Sequence, residues 1–240
     1  MTLPGGRTLL PRAVPYVPQF ASPDLTADIL AGRLDPAADP RWAESGYPSV
    51  AAYAFWAPRL CGIACLMMAI RAVRPAFAGS LAALATECAG EGGYVLWDAA
   101  GRWVDYGWVY EPMLRVARRY GLEGAVSTAL GFEDVCAAVL RDVLVIASVN
   151  PSHVRGQRLV EPFDPGGHLV VVVGFDAAGG RCEAVLCHNP SGTTAATREA
   201  GRVEAAVFRR AFAGRGLLLW PASTPSPRWG RGFGEGARFL

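Results

Sequence analysis

The segment from Cys61 to Arg74, CGIACLMMAIRAVR, is apolar on nearly every side of a helix and contains no proline. A helix that is apolar all round is buried inside a larger fold. Pro75 ends it, because proline cannot continue a helix. The 240 residues suffice for one well-packed domain, or at most two small ones. The segment is therefore predicted to be a core helix.

The β-strand patterns lie later in the chain. Val143–Val149 and Leu169–Phe175 are apolar runs of strand length. Asp176–Gly180, with the sequence DAAGG, predicts a turn, and Cys182–His188 predicts the returning strand. Leu217–Trp220 is predicted to be a last strand. Because helical patterns come first and hairpin-connected strands follow, the sequence predicts an α+β fold, with an N-terminal helical part packed on an antiparallel β-sheet.

The other predicted elements complete one domain. Residues 1–15 are expected to form an irregular N-terminal arm and residues 16–220 the domain itself. Residues 221–240 are rich in Pro, Gly, Ser and Arg, which predicts a flexible tail. Residues 91–109, rich in Gly and aromatic residues, predict a loop or lid. Further helices are expected at 81–87 after the N-cap Ser80, at 112–120, at 132–141 and at 203–212.

Composition and charge exclude several classes of protein. Hydrophobic residues make up 52% and charged residues 18%, which is typical of a folded chain. The net charge of +2 and the scattered arginines argue against a nucleic-acid partner. No apolar run reaches the roughly 18 residues of a membrane helix, and the N-terminus lacks a signal-peptide pattern. We therefore expect a cytoplasmic protein whose six cysteines are thiols, without a cofactor.

Cys61 is the candidate nucleophile because it opens the core helix. A helix N-terminus carries partial positive charge and free backbone N–H groups, which favour a thiolate and can hold an oxyanion. Gly62 is expected to let a substrate backbone approach closely. Cys65, one turn further along, is expected to be a packing residue, and a buried core cysteine is also the alternative interpretation of Cys61.

His168 is the candidate base, since it opens the strand LVVVVGF after two glycines. Counting outward from a turn centred near Ala178 places His168 opposite His188 or Asn189. The side-chain oxygen of Asn189 could accept a hydrogen bond from one ring nitrogen and leave the other for the thiol. The alternative is that Asn189 only forms a turn, and His188 is expected on the opposite face.

Gln19 is a candidate oxyanion donor upstream of the nucleophile. Its amide could donate to a tetrahedral oxyanion beside the backbone N–H of Cys61. Without further context, an ordinary surface glutamine in a proline-rich segment is the simpler interpretation.

Four motifs together resemble the papain-like cysteine peptidases related to the bacteriocin leader peptidases, which cut leaders after a double glycine in peptide-exporting transporters. The motifs are VPYVPQF, CGIACLMM, GGHLVVVVGFD and HNPSG, and they span roughly residues 14–192. The resemblance implies a papain-like fold and a Cys-His-Asp/Asn triad with a glutamine oxyanion donor. Carried over, Cys61 matches the nucleophile, His168 the base, Asn189 the orienting residue and Gln19 the oxyanion donor.

Three features depart from the family pattern. Gln19 lies 42 residues before Cys61, whereas the family keeps the two close, so residues 21–60 are expected to be an insertion. Asn189 stands where the relatives usually carry an aspartate. The transporter's membrane and nucleotide-binding domains have no counterpart, so a stand-alone form is expected, and double-glycine specificity is not implied.

Several functions fit these residues. The leading hypothesis is a cysteine peptidase or amidase that cleaves a peptide or protein substrate, such as a leader peptide, through a thioester acyl-enzyme. The alternatives are an acyltransferase or transpeptidase that uses the same thioester, and a non-catalytic peptide-binding protein. A metal site at Cys182, Cys187 and His188 is disfavoured, because adjacent strand residues point to opposite faces. The termini could also enter the cleft as self-inhibitory or self-processed segments.

Overall fold

The computed structural model describes residues 2–154 and 165–226 of the chain. The helices are α1 (Thr26–Leu30), α2 (Val50–Trp56), α3 (Cys61–Val73), α4 (Leu81–Gly90), α5 (Tyr110–Arg119), α6 (Phe132–Leu140), α7 (Pro151–Val154), α8 (Ala195–Arg198) and α9 (Ala205–Ala211). The strands are β1 (Gly6–Leu9), β2 (Tyr94–Trp97), β3 (Trp103–Trp108), β4 (Leu122–Ser127), β5 (Leu144–Val149), β6 (His168–Ala178), β7 (Arg181–His188), β8 (Gly201–Glu204) and β9 (Phe212–Pro221). Short 3-10 turns precede α1, α2 and α3.

Seven antiparallel strands form the main sheet, in the order β4-β9-β5-β6-β7-β8 with β1 paired to β6. The long strand β6 organises it, because its first half pairs with β5 and its second half pairs with β1. Helices α3 and α6 pack on β6, α5 packs on β4, and α9 packs on β7. Strands β2 and β3 form a separate two-stranded hairpin. The predicted α+β fold, with helices against an antiparallel sheet, is confirmed.

Helix α3 is the predicted core helix. Every residue from Gly62 to Ile70 is buried, as the all-round apolar pattern requires, and the helix ends at Val73, before Pro75. No single helix of residues 2–154 and 165–226 is both long and apolar enough to cross a membrane. Val50–Arg59 and Cys61–Val73 reach that length only as a pair bent by 81°.

Two regions expected to be irregular contain strands. Within the N-terminal arm, Gly6–Leu9 pairs with β6 as an edge strand, so the arm is not irregular throughout. The segment 91–109 contains the β2–β3 hairpin instead of an open loop. Two further short strands, β4 and β8, were not expected, and β8 overlaps the start of the helix predicted at 203–212. Of the predicted tail, residues 227–240 lie outside the described part of the chain.

The hairpin register differs from the sequence count because the turn is tighter and later than expected. Strand β6 continues to Ala178, and only Gly179 and Gly180 connect it to β7. Both glycines have positive φ, 55° and 77°, as a two-residue hairpin turn requires. Val171 therefore pairs with His188. If this register is extended by three residues, His168 lies opposite Ser191, which is beyond the end of β7.

Candidate active site

His168 and Asn189 meet at the end of the sheet where β6 begins. Nε2 of His168 lies 2.8 Å from Oδ1 of Asn189. Both residues are almost fully buried, with exposures of 4% and 1%. Asn189 follows the last residue of β7, so its side chain reaches back to the first residue of β6 from beyond the paired ladder.

Asn189 also opens a tight turn, which explains the sequence NPSG. The N–H of Gly192 donates to the carbonyl of Asn189 at 3.0 Å, and Asn, Pro and Gly occupy their preferred first, second and fourth turn positions. The N–H of Ser191 donates to Oδ1 of Asn189 at 3.0 Å, a local side-chain bond typical of asparagine in turns. The turn and the contact with His168 therefore depend on the same side chain.

These contacts determine which ring nitrogen of His168 carries the proton. A backbone N–H can only donate, so the Asn189 atom that faces Ser191 must be the amide oxygen. The same oxygen faces Nε2 of His168, so Nε2 must be the donor. In the neutral imidazole, Nδ1 is then the basic nitrogen.

Ser191 is a site residue that sequence reasoning missed. Its side chain is fully buried, and its Oγ lies 3.1 Å from Nε2 of His168 and 3.3 Å from Oδ1 of Asn189. The hydroxyl can donate to the amide oxygen while it accepts from the ring. The only signal for Ser191 in the sequence is that it is a polar residue within the motif HNPSG. The motif does not show that Ser191 lies near His168, because that proximity depends on the hairpin register.

His188 is separate from this cluster. Its Nε2 lies 2.8 Å from the carbonyl oxygen of Val14, and its Nδ1 accepts from the N–H of Ala200 at 2.9 Å. Because Ala200 donates to Nδ1, Nε2 must carry the proton, and the ring is neutral. Burial lowers the pKa of His188 despite the Val14 contact. His188 thus anchors the proline-rich segment that leads to Gln19.

Gln19 lies between the Asn189 turn and the start of α3. It is 2% exposed, and its backbone N–H donates to the carbonyl of Pro190 at 2.9 Å. Its Nε2 donates to the carbonyl of Ala57 at 3.1 Å, in the 3-10 turn directly before α3. Among the described residues, its buried Oε1 has no hydrogen-bond partner. Gln19 is therefore not a surface residue.

A buried carboxylate organises the segment between Gln19 and Cys61. Asp39 accepts hydrogen bonds from the hydroxyl of Ser22 at 2.6 Å, the hydroxyl of Tyr53 at 2.5 Å and the N–H of Arg41 at 3.0 Å. Burial would raise the pKa of Asp39, but these donors outweigh it, and the pKa is lowered. Through Asp39, the network joins Ser22, three residues after Gln19, to Tyr53 of α2. Helix α2 leads into the 3-10 turn before α3.

Cys61 is the half-buried first residue of α3. One turn later, the thiol of Cys65 donates to the carbonyl of Leu169 at 3.3 Å. Leu169 is the neighbour of His168, so the first turn of α3 lies against the start of β6. Burial raises the pKa of Cys65 well above its usual value, as expected for a packing residue.

The glycine after Cys61 accommodates a tryptophan. A Cβ on Gly62 would lie 2.8 Å from Cδ1 of Trp108 and 3.1 Å from Cδ1 of Leu169. The indole N–H of Trp108 donates to the carbonyl of Arg59 at 2.7 Å. Trp108 thus fills the space that a side chain at position 62 would take, and the expectation that Gly62 admits a substrate backbone stays a prediction.

The β2–β3 hairpin carries an aromatic cluster beside the start of α3. The ring of Tyr94 packs edge-on against Trp108 and Trp56, with centroids 4.7 and 5.2 Å apart. Trp97 and Trp103 pair at 5.0 Å but remain about half exposed, and Tyr106 is 83% exposed. One end of the hairpin is thus fixed next to the helix start, and the other presents aromatic rings to solvent.

The candidate metal ligands do not form a cluster. His188 is held by the backbone contacts described above, and Cys187 is buried. Within residues 2–154 and 165–226, no group of three or more His, Cys, Asp or Glu side chains could hold a metal ion.

Comparison with solved structures finds similar proteins at low sequence identity, and one of them, with a TM-score above 0.5, shares the fold. A protein described as a putative C39-like peptidase from Bacillus anthracis shares 15% identity at a TM-score of 0.52, with 89% of this chain and 97% of that chain covered. A double glycine motif protease from an AMS/PCAT transporter, in complex with the leader peptide, shares 18% identity at a TM-score of 0.41, with 67% and 84% covered. The peptidase domain of Streptococcus ComA, a bifunctional ABC transporter, shares 15% at 0.42, with 68% and 93% covered.

Comparison of the sequence itself identifies the family. No curated protein matches the chain. The model of the Peptidase_C39 like family, however, matches residues 41–214, which is most of the described domain. The chain thus belongs to the Peptidase_C39 like family of cysteine peptidases, with their papain-like fold.

Proposed function

We propose that this peptidase cleaves a peptide amide bond with Cys61 as nucleophile, His168 as base, Asn189 as the residue that orients His168, and Gln19 as an oxyanion donor. The observation that carries the proposal is the 2.8 Å contact between His168 and Asn189, at the end of the sheet against which the first turn of α3 packs. A buried histidine oriented by an amide, at the start of a strand that contacts the helix opened by Cys61, supports the arrangement that thiol catalysis requires.

The first step is activation of the thiol. Nε2 of His168 donates to Asn189, so Nδ1 takes the proton of Cys61. The N-terminus of α3 favours the resulting thiolate through the partial positive charge of its first turn.

The next steps are acyl transfer to sulfur and hydrolysis. The thiolate attacks the carbonyl carbon of the substrate, and the oxyanion accepts hydrogen bonds from the N–H of Cys61 and the amide of Gln19. Collapse of this intermediate breaks the C–N bond as His168 returns its proton to the leaving amine. Water, deprotonated by His168, then attacks the thioester, and the carboxylic acid leaves the restored thiol.

Gln19 can donate without losing its structural contacts. Its orientation is fixed, because a carbonyl oxygen can only accept, so the amide atom of Gln19 that faces Ala57 must be Nε2. An amide nitrogen carries two hydrogens, and Ala57 uses one of them. The other is available for the oxyanion.

We propose that the substrate is a peptide, and more specifically a leader peptide, because the chain belongs to the Peptidase_C39 like family. The aromatic hairpin supports binding of apolar side chains. Its exposed ring Trp103 packs on Trp97 and on Phe55, and Phe55 packs on Trp56 of the cluster beside the helix start. Aromatic rings offer large apolar contact areas with few rotatable bonds.

Labelling with a thiol-reactive peptide warhead tests the assignment of the nucleophile. Peptide mapping is expected to place the label on Cys61. Cys61→Ala should lose both labelling and peptide cleavage, whereas Cys88→Ala, which removes a buried thiol of α4, should keep them. Label on another cysteine, or cleavage by Cys61→Ala, would refute the proposal. Addition of an amine nucleophile during turnover separates hydrolysis from acyl transfer, since only transfer yields the new amide.

A further inference from the structure

Cys136 and Cys182 line a cavity near the end of β6 that is opposite to His168. The cavity has a volume of about 350 Å³, and its walls include Phe132 and Cys136 of α6, Arg181 and Cys182 of β7, and Arg209 of α9. Cys182 stands near the start of β7, whereas Asn189 follows its end. The cavity is therefore separate from the candidate active site.

The two cysteine side chains line the same cavity. A hydrogen bond between their thiols shifts the pKa values of both, and the sulfur of Cys182 lies 3.3 Å from the carbonyl oxygen of Ala184. Cys136 is 2% exposed, but Cys182 is only partly buried and opens into the cavity. Both are free thiols in the structure.

The surroundings make the two thiols unequal. The hydrogen bond from Cys136, with a smaller contribution from the charge of Arg209, lowers the pKa of Cys182 although partial burial opposes it. The same hydrogen bond and burial raise the pKa of Cys136. Arg209 is held in place by Glu133 at 2.7 Å and by the ring of Phe132 at 3.8 Å. A partly exposed thiol with a lowered pKa, in one cavity with a buried second thiol, is the arrangement of redox-sensitive cysteines.

We propose that Cys136 and Cys182 form a reversible thiol–disulfide site that reacts with hydroperoxides, in which Cys182 reacts first and Cys136 resolves the product. The Cys182 thiolate attacks the terminal oxygen of the peroxide, the O–O bond breaks, and an alkoxide or hydroxide leaves. The sulfur is now a sulfenic acid. Cys136 then attacks this sulfur, the S–O bond breaks, and the proton of Cys136 leaves with the hydroxide as water.

The net reaction consumes two thiols and one hydroperoxide and yields a disulfide, an alcohol or water, and a water molecule. Cys136 needs no access to bulk solvent for its part, because it lines the same cavity as Cys182. The disulfide would tie α6 to the start of β7, and a small-molecule thiol would reverse it by exchange.

The test uses the full chain as Cys61→Ala, so that oxidation of the proposed nucleophile does not interfere and the outcome is independent of peptidase activity. The reduced protein is treated with hydrogen peroxide, alkylated, digested without reduction and analysed by mass spectrometry. A linked peptide that joins Cys136 to Cys182, and a loss of about 2 Da from the intact protein, are expected. Both should disappear after reduction.

Three further variants in the same background identify the roles. Cys182→Ser should abolish the cross-link, and Cys136→Ser should accumulate a sulfenic acid on Cys182 that a 1,3-diketone probe traps. Cys88→Ala, the matched control, should still cross-link. The proposal is overturned if, in the parent protein, Cys136 and Cys182 remain as alkylatable as Cys88 after peroxide, or if Cys182 is oxidised without a link to Cys136. That readout does not depend on the folding of any cysteine-to-serine variant.

Discussion

The backbone N–H of Ser191 donates to Oδ1 of Asn189 at 3.0 Å, while the same oxygen lies 2.8 Å from Nε2 of His168. One amide oxygen thus serves a tight turn and the tautomer of a buried histidine. An aspartate at this position would accept through the same geometry. The substitution Asn189→Asp would therefore preserve the direction of the hydrogen bond to His168 and change only the charge behind it.

Asn189→Ala should strongly reduce activity. The variant removes the acceptor for Nε2 of His168, so the tautomer and the ring orientation are no longer fixed. We expect kcat to fall on the order of 10²-fold, within the range that a positioned base contributes. Asn189→Asp, which keeps the acceptor, should retain most of the activity. Steady-state kinetics on one peptide substrate measure both, and an Asn189→Ala enzyme with wild-type kcat would contradict the role of Asn189.

Ser191→Ala should have a much smaller effect than Asn189→Ala. It removes the hydroxyl that lies 3.1 Å from His168 but keeps the backbone N–H that orients Asn189. A single hydrogen bond contributes about 0.5–1.5 kcal/mol, so kcat should fall less than about tenfold. The comparison of kcat for the two variants separates the effect of the Ser191 hydroxyl on His168 from the effect of the Asn189 side chain that the Ser191 N–H orients. Equal losses in both would show that the hydroxyl, and not the turn, positions the ring.

The core helix and the central strands could be predicted because their signals are local. All-round apolarity and Pro75 defined α3, and the apolar runs defined β5 and β6. The β6–β7 register could not be predicted, because DAAGG contains several turn residues and only Gly179 and Gly180 form the turn. Ser191 depended on that register and was missed. Strand β1, with the sequence GRTL, is an edge strand that is mostly exposed and has no apolar alternation.

The position of Gln19 shows what the motif alone could not establish. The 42-residue gap to Cys61 departed from the family pattern, and the sequence offered no reason for the two to meet. In the structure, Gln19 is joined to the Asn189 turn through Pro190 and to the start of α3 through Ala57. These are backbone acceptors, which leave no trace in residue identity.

Gln19→Ala should lower kcat with little change in KM. Loss of one oxyanion donor typically costs about 10²–10³ in rate, and the backbone contact of residue 19 with Pro190 remains. The measurement is kcat and KM for the same peptide, with circular dichroism to verify folding. A variant that binds the peptide more weakly but turns over normally would assign Gln19 to substrate binding instead.

Stability should depend on pH through His188. Its pKa is lowered in the folded protein, so the unfolded chain binds a proton more readily. The lowered pKa stabilises the folded state fully at pH values above about 6.5, the pKa of histidine in the unfolded chain. This stabilisation is lost as the pH falls from that value towards the pKa of His188 in the folded protein. Chemical denaturation of wild type and His188→Gln between pH 5 and about 8 measures the difference. A constant difference across that range would contradict the prediction.

Gly62→Ala should destabilise the fold, and Gly90→Ala is its matched control. The new methyl group at position 62 would lie 2.8 Å from Trp108, whose indole is held by Arg59. Overpacking of this kind costs about 1–3 kcal/mol, and it should also displace the hairpin next to Cys61. Gly90 ends α4, and a methyl group added there would have no atom of residues 2–154 or 165–226 within 4 Å, so its replacement should be neutral or stabilise by up to about 1 kcal/mol. Chemical denaturation measures both free energies of unfolding. A Gly62→Ala protein as stable as Gly90→Ala would mean that Trp108 is free to move away from the helix start.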